Sequence, residues 1–276
     1  MKNVPKITII AASLTAILGA STVSALPSNT LSELAYFTNE SNHLDLIKSQ
    51  QQALAKQSTS SGMASHYDSE LGKATFLWAS KGLVTPNIAH IAIEKRNAFV
   101  ADYYLQQLTG LKTSKSAILN GAELSSLHQP KRGPAIAKYK QVVGGVEVFN
   151  REYNVMLDKE YNLVASSGFV SHTKVANTVD AALTYFGDPE KAINIAARNI
   201  GAEETELTLT GKKSQGQFTS FTAKNSEGVI NTFSPRAKKV FFDTGKELIA
   251  AHYVEVDVAP KNSVESQAYG FVIAVD

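Results

Sequence analysis

Apolar positions follow two rhythms along this chain, and the change from one to the other occurs twice. Between 86 and 110, Ile88, Ile91, Ala92, Phe99 and Tyr103 recur near helical spacing, with Pro86 near the start and Gly110 after the end. That spacing predicts a helix. β-prone runs follow at 135–143, 146–157 and 161–170, separated by Gly144-Gly145 and by the polar turn Asp158, Lys159, Glu160. A two-residue primed turn needs positive φ at both central positions, so the glycine pair predicts a hairpin within a three-stranded antiparallel meander. The rhythm then repeats with a short helix over 178–186 and a break at Gly187. A second helix follows, in which Ala192, Ile193, Ile195, Ala196, Ala197 and Ile200 are apolar. Asp188 is its natural N-cap, Pro189 fits the first helical position and Gly201 supplies the stop. Further β-prone pieces lie at 205–210, 218–223, 238–242, 248–258 and 268–275. In the fourth, Leu248, Ala250, His252, Val254, Val256 and Val258 share one face. Helix then sheet, twice over, predicts an α+β fold of two units, each an antiparallel sheet packed on a helix.

The N-terminus does not join this scheme. Lys2 and Lys6 precede an apolar stretch over 7–23 that ends in the small residues Val23, Ser24 and Ala25, the pattern of a secretory signal peptide cleaved near Ala25. Ser13, Thr15, Gly19, Ser21 and Thr22 interrupt the stretch, which makes it a poor permanent span. Residues 26–62 form a polar arm rich in Ser, Gln and Asn, with one modest helical candidate over 43–56 on which Leu44, Ile47 and Leu54 make a loose stripe. The divisions expected are therefore 1–25 signal peptide, 26–62 arm, 63–175 first unit and 176–276 second unit. Within the first unit, the apolar run 75–79 lies between Gly72 and Gly82, which predicts Phe76 and Trp78 in its core.

Charge removes two classes of partner. The chain carries 27 basic and 25 acidic residues, and loss of the two leader lysines leaves the mature chain balanced. Phosphate binding needs concentrated Lys and Arg, so neither nucleic acid nor, after signal cleavage, a membrane is expected as a partner. The clusters Lys131-Arg132 and 236–239 are short and read as solvated faces. With no cysteine, disulfides do not contribute and stability rests on packing.

The search for catalytic chemistry finds no set. A zinc peptidase helix needs two His one turn apart with a Glu base between them, and none of His43, His66, His90, His128, His172 or His252 begins His-Glu-x-x-His. His90 and Glu94 are one turn apart on the first predicted helix, but a third ligand is missing. His66, Asp68 and Ser69 are neighbours in sequence, whereas triads assemble from distant segments. No catalytic residue, no metal ligand and no cofactor is therefore expected in this chain. A secreted chain of this kind acts by binding, through sheet edges and apolar patches.

Two segments carry a resemblance to a known family. The run 71–79, with Gly72, Thr75, Phe76 and Trp78, resembles the segment near the start of fungalysin prodomains. The stretch 139–149, with Tyr139, Gln141, Gly145, Val148 and Phe149, continues through Asp158 to Gly168 and resembles the fungalysin/thermolysin propeptide motif. Residues 178–276, with Phe186, Gly187, Asp188 and Pro189, resemble the PepSY module that commonly follows it. The resemblance implies a non-catalytic propeptide of a zymogen, acting as inhibitor and intramolecular folding chaperone of a secreted fungalysin-type zinc metalloendopeptidase. The motif residues are then mainly structural, and zinc is expected only in the partner or missing catalytic domain, engaged in cis or in trans. The location implied is secreted or extracellular, the periplasm included. The catalytic domain of the family does not follow here, and the β-prone run 268–275 ends at Asp276. The expectation is accordingly a truncated precursor or a free-standing inhibitor, with an unpaired final strand edge for strand addition. The alternative is a free-standing secreted or periplasmic module that binds peptide or glycan and has no protease partner.

Overall fold

The computed structural model describes residues 9–10, 62–68, 73–79, 83–113, 120–173, 185–201, 207–225, 230–260 and 266–275. The chain divides into two compact units. One comprises Asn39–Ala182 with Asp243–Glu247, the other Met1–Thr38, Leu183–Phe242 and Leu248–Asp276. A two-residue strand, β1 (Ile9–Ile10), belongs to the second unit.

The first unit is an antiparallel sheet. Its strands are β2 (Gly62–Asp68), β3 (Lys73–Ala79), β4 (Gly121–His128), β5 (Ala135–Val143), β6 (Val146–Leu157) and β7 (Leu163–Gly168), in the spatial order β2-β3-β7-β6-β5-β4. Gly144 and Gly145 both take positive φ, 55° and 78°, and close the β5–β6 hairpin with Val143 opposite Val146. That turn sets the register. It places Tyr139 opposite Tyr153 and Ala137 opposite Val155, so these four side chains share the face on which α1 (Ile93–Thr109) packs. From α1, Val100, Ala101, Tyr104 and Leu105 enter the same core, the one-turn recurrence of a single helical stripe. Gly110 ends the helix at φ 74°, its N–H donating to the Gln106 carbonyl. The predicted helix thus stops where expected but starts later, at Ile93, and its buried stripe is rotated by about one residue, which leaves Phe99 36% exposed.

The second unit contains α2 (Pro189–Gly201) and the strands β8 (Leu207–Gln215), β9 (Phe218–Asn225), β10 (Ile230–Asp243), β11 (Leu248–Pro260) and β12 (Gln267–Ile273), ordered β8-β9-β10-β11-β12-β1. Asp188 caps α2, its Oδ1 accepting from the Glu190 N–H at 2.9 Å, with Pro189 as the first helical residue. Ala192, Ile193, Ala196 and Ala197 are buried against Val254 and Val256 of β11 and Phe271 and Ile273 of β12. The alternation expected in β11 is present at Leu248, His252, Val254, Val256 and Val258, all buried, but is interrupted at 250–251, where Ala251 is buried and Ala250 only half-buried.

Several expectations need correction. The fold is not α+β with a sheet-on-helix layer as its organising feature. Among the described residues it is mostly β, twelve strands against two helices. The additional strands had escaped notice for a physical reason. In β4 beyond Gly121 and Ala122, and in β8 beyond the predicted piece 205–210, both faces are exposed or half-buried, so the hydrophobic alternation that marks a half-buried strand is missing while backbone pairing still holds them. Of the short helix predicted over 178–186, residues 178–184 lie outside the described residues, and Tyr185 and Phe186 are not helical. Nor is Trp78 a core residue: it is 47% exposed, and Phe76 is only partly buried. On the edge away from β11 the final strand pairs with β1 at Val272 and Ile273, two of its seven residues, so that edge is covered only in part.

Gly168 and Gly145 make a controlled pair. Both have positive φ, but a Cβ at Gly168 meets the Glu152 carbonyl oxygen at 2.1 Å, whereas one at Gly145 meets nothing within 4 Å. Gly145→Ala is expected to cost about 1 kcal/mol, the left-handed backbone penalty alone, and Gly168→Ala roughly 3 kcal/mol or more because the strands must also part. Urea unfolding midpoints of the two variants measure this, and equal losses would refute the register at Gly168.

Candidate interaction surface

The motif residues divide into a buried scaffold and an exposed row. The Tyr139 hydroxyl donates to Asp102 Oδ1 of α1 at 2.7 Å, which ties the helix to the hairpin. Burial, and then the Asp102 carboxylate, hold the Tyr139 phenol far above its usual pKa. Gln141 is 1% exposed and fully used: Nε2 donates to Asn120 Oδ1 at 2.8 Å and to the Ser171 carbonyl at 2.7 Å, while Oε1 accepts from the Ser171 N–H at 2.7 Å. Val148 is buried, Phe149 is half-buried, Gly145 and Gly168 take positive φ, Asp188 caps α2 through its side-chain Oδ1, and Pro189 is the first helical residue. Thr75 is half-buried in β3. Gly72 lies outside the described residues.

Trp78 stands apart. Successive registers place Ile136 opposite Met156, Met156 opposite Ala165, and Ala165 opposite Trp78, so four apolar side chains form one row across β5, β6, β7 and β3. The parallel row Lys138, Asn154, Ser167 and Phe76 lies beside it. Both rows point away from the α1 face, since their neighbours along β5 and β6, Ala137, Tyr139, Tyr153 and Val155, are in the helix-side core. Phe76 and Trp78 meet edge to face, ring centroids 5.1 Å apart. At strand spacing the row spans about 14 Å, with a half-exposed indole at one end. Sequence reasoning found Phe76 and Trp78 but missed Ile136, Met156 and Ala165, because only the non-local β3–β7 register brings them into line.

The candidate chemistry of the histidines does not assemble. Among the described residues no group of three His, Cys, Asp or Glu side chains is placed to hold a metal ion. His90 precedes α1 and lies edge-on to Phe99 at 5.9 Å, so it and Glu94 do not share a helical face. Ser69, the sequence neighbour of His66 and Asp68, lies outside the described residues, as do residues 26–61 and all of residues 1–25 except Ile9 and Ile10.

The basic run 236–239 is not a simple solvated face. Arg236 lies 4.4 Å over the Phe218 ring and pairs with Glu255 at 2.5 Å. Lys238 is 9% exposed, 5.5 Å from both the Phe218 and the Tyr253 rings. The alternation of β10 puts both cations on one side, where β9 and β11 supply aromatic and acidic partners.

A second polar cluster escaped the sequence altogether. Arg151 and Asp243 form an ion pair at 3.2 Å with side chains 13% and 10% exposed, and the guanidinium also covers Phe169 at 4.5 Å. Asp243 accepts from the Thr173 hydroxyl at 3.0 Å and from the Gly245 N–H at 2.8 Å, and Thr173 is bonded in turn to Ser171. Burial acts to raise the Asp243 pKa, but Ser171, Gly245, Arg151 and Thr173 together bring it below the ordinary value.

No protein-family model matches the chain, and no curated protein is significantly similar to it.

Two predictions follow from this geometry. Trp78, the single tryptophan, should emit as a partly hydrated indole and be quenched by acrylamide in the native state, and Trp78→Ala should cost roughly 1–2 kcal/mol, below the 3–5 kcal/mol of a core aromatic. A blue-shifted, quencher-shielded emission would contradict its exposure. Arg151→Ala should cost roughly 3 kcal/mol at pH 7 by stranding a buried carboxylate. Because the folded pKa of Asp243 is depressed, the pair's contribution is present above the unfolded carboxyl value of about 3.9 and is lost as pH falls through the lower folded value. Urea titrations should therefore show the gap between wild type and variant narrowing toward pH 2. A gap that stays constant would rule out ionisation of Asp243 as its source.

Proposed function

We propose that this chain is a non-catalytic propeptide that inhibits a secreted fungalysin-type zinc metalloendopeptidase and assists its folding. The observation that carries the proposal is the hairpin 139–149. Its motif residues are those that set the β5–β6 register and, through Gln141 and Tyr139, lock the strand pair to Ser171 and α1. In this reading the buried motif builds a rigid sheet and the opposite face, with Phe76 and Trp78, is what a folded peptidase meets. Zinc belongs to the partner. Mixing the purified chain with a fungalysin-type catalytic domain should suppress peptide cleavage in proportion to the amount added, raise the refolding yield of that domain and leave its zinc content unchanged. Absence of both inhibition and refolding assistance across a cognate pair would overturn the proposal.

One observation favours a second reading, a module that binds peptide or glycan. A half-exposed indole beside Phe76 is a flat aromatic platform of the kind that stacks on apolar ligand faces. Titration of Trp78 fluorescence separates the two: oligosaccharide or peptide shifting the emission, with no response to a catalytic domain, would favour the module.

A further inference from the structure

His252 is a buried titratable group that neither reading employs. It lies on the α2-facing side of β11, 2% exposed, opposite Ile273 of β12. Its Nε2 is 3.2 Å from the carbonyl oxygen of Gly187. A carbonyl can only accept, so Nε2 carries the proton and Nδ1 is the bare acceptor nitrogen. That Nδ1 is buried and has no hydrogen-bond partner among the described residues.

The stretch held by this contact is tightly confined. Gly187 has φ +77°, and a Cβ there would lie 2.6 Å from the Cβ of Val275 and 2.7 Å from its carbonyl oxygen. Phe186, 5% exposed, packs edge to face on Phe241 with centroids 5.1 Å apart. The next residue, Asp188, caps α2. The same short stretch therefore starts the helix, pins Val275 and sits on the imidazole.

The charged groups around the ring oppose one another. Lys239 of β10, whose ammonium lies 5.4 Å over the Phe186 ring, disfavours a second positive charge, and Asp188 favours it. From β12 the register neighbour is the apolar Ile273. Burial is the largest influence and outweighs the carbonyls of Gly187 and Phe186, so the imidazole pKa lies below its usual 6.5.

We propose that His252 is an acid-sensitive latch: a proton taken up at Nδ1 places charge on a buried nitrogen that has no hydrogen-bond partner among the described residues, and residues 186–188 release from β11 and Val275 to hydrate it. The second unit then opens locally as the pH falls below neutral. The proton comes from solvent, and the open form binds one more than the closed form until the pH drops below the folded pKa. This device does not depend on the proposed function and stands or falls by itself.

Hydrogen exchange of the full chain at pH 7.5, 6.5 and 5.5, corrected for the intrinsic pH dependence of exchange, tests the latch. The opening equilibrium of peptides covering 185–189 and 270–275 should rise by up to about tenfold per pH unit below about 6.5, the slope of one linked proton, while peptides from β6 change little. His252→Gln keeps an amide N–H for the Gly187 carbonyl but cannot titrate, so its protection should not vary over this range. The same pH dependence in wild type and His252→Gln, or flat protection in wild type, would overturn the proposal. If the variant does not fold, an NMR titration of the wild-type imidazoles decides. A native His252 ring that titrates at or above its ordinary value overturns the latch, and one that stays neutral while solvent-accessible histidines charge supports it.

Discussion

The two-residue turn at Gly144-Gly145 decides which side chains of β5 and β6 face the helix. In a strand the side-chain period is two, so a one-residue slip would send Tyr139 and Tyr153 to the open face and bring Lys138 and Asn154 into the core. Tyr139 would lose Asp102, and Lys138 would be buried without a partner. Neither change is tolerable in a core assembled from Val100, Ala101, Tyr104 and Leu105. The positive φ of both glycines fixes this choice locally, and with it the placing of Ile136 and Met156 on the opposite face.

The second unit is held by a different device, a helix start buried against a strand. Asp188 satisfies the Glu190 N–H, Gly187 lets the chain pass close to Val275, and His252 donates from Nε2 to the Gly187 carbonyl. Aliphatic burial between α2, β11 and β12 supplies most of the cohesion. The polar group beneath the helix start makes that cohesion conditional on protonation state. The first unit's Arg151–Asp243 pair reacts to acid in the same direction, but through loss of a charge where the imidazole gains one.

How much was legible in the sequence depended on how local the determining chemistry is. The glycine hairpin, the Asp188-Pro189 helix start, the Gly110 stop and the alternation in β11 were all readable, because each is set by a few consecutive residues. Strand β4 was not, nor was the part of β8 beyond the predicted piece 205–210, since their exposed polar side chains mimic loop composition while their backbones pair with neighbours. The all-important partners of Trp78 were also hidden. Ile136, Met156 and Ala165 come from three other strands, and only the pairing of β3 with β7, nearly ninety residues later in the chain, aligns them. Trp78 itself was misplaced because an apolar run shows that a strand is buried somewhere, not which of its faces is covered. His252 was seen on the correct face of β11, yet its unsatisfied nitrogen belongs to tertiary structure alone.

The exposed row sets a limit on how such a chain can bind. Covering the open half of an indole removes roughly 100 Å² of apolar surface, which at about 25 cal/mol per Å² contributes about 2.5 kcal/mol, between one and two orders of magnitude in affinity. Ile136 and Met156 are already half-buried and add less than the indole. A stable interface between folded proteins covers about 800 Å² on each partner, so the row is an anchor within a larger footprint and not the footprint itself. A peptide or glycan needs only the anchor, whereas an inhibitor of a folded peptidase must recruit surface around it. Beside Phe76 the nearest such surface is the exposed Lys138, because Asn154 and Ser167 are half-buried and bonded to each other at 3.1 Å, so a partner would meet a cation at the rim of an apolar contact.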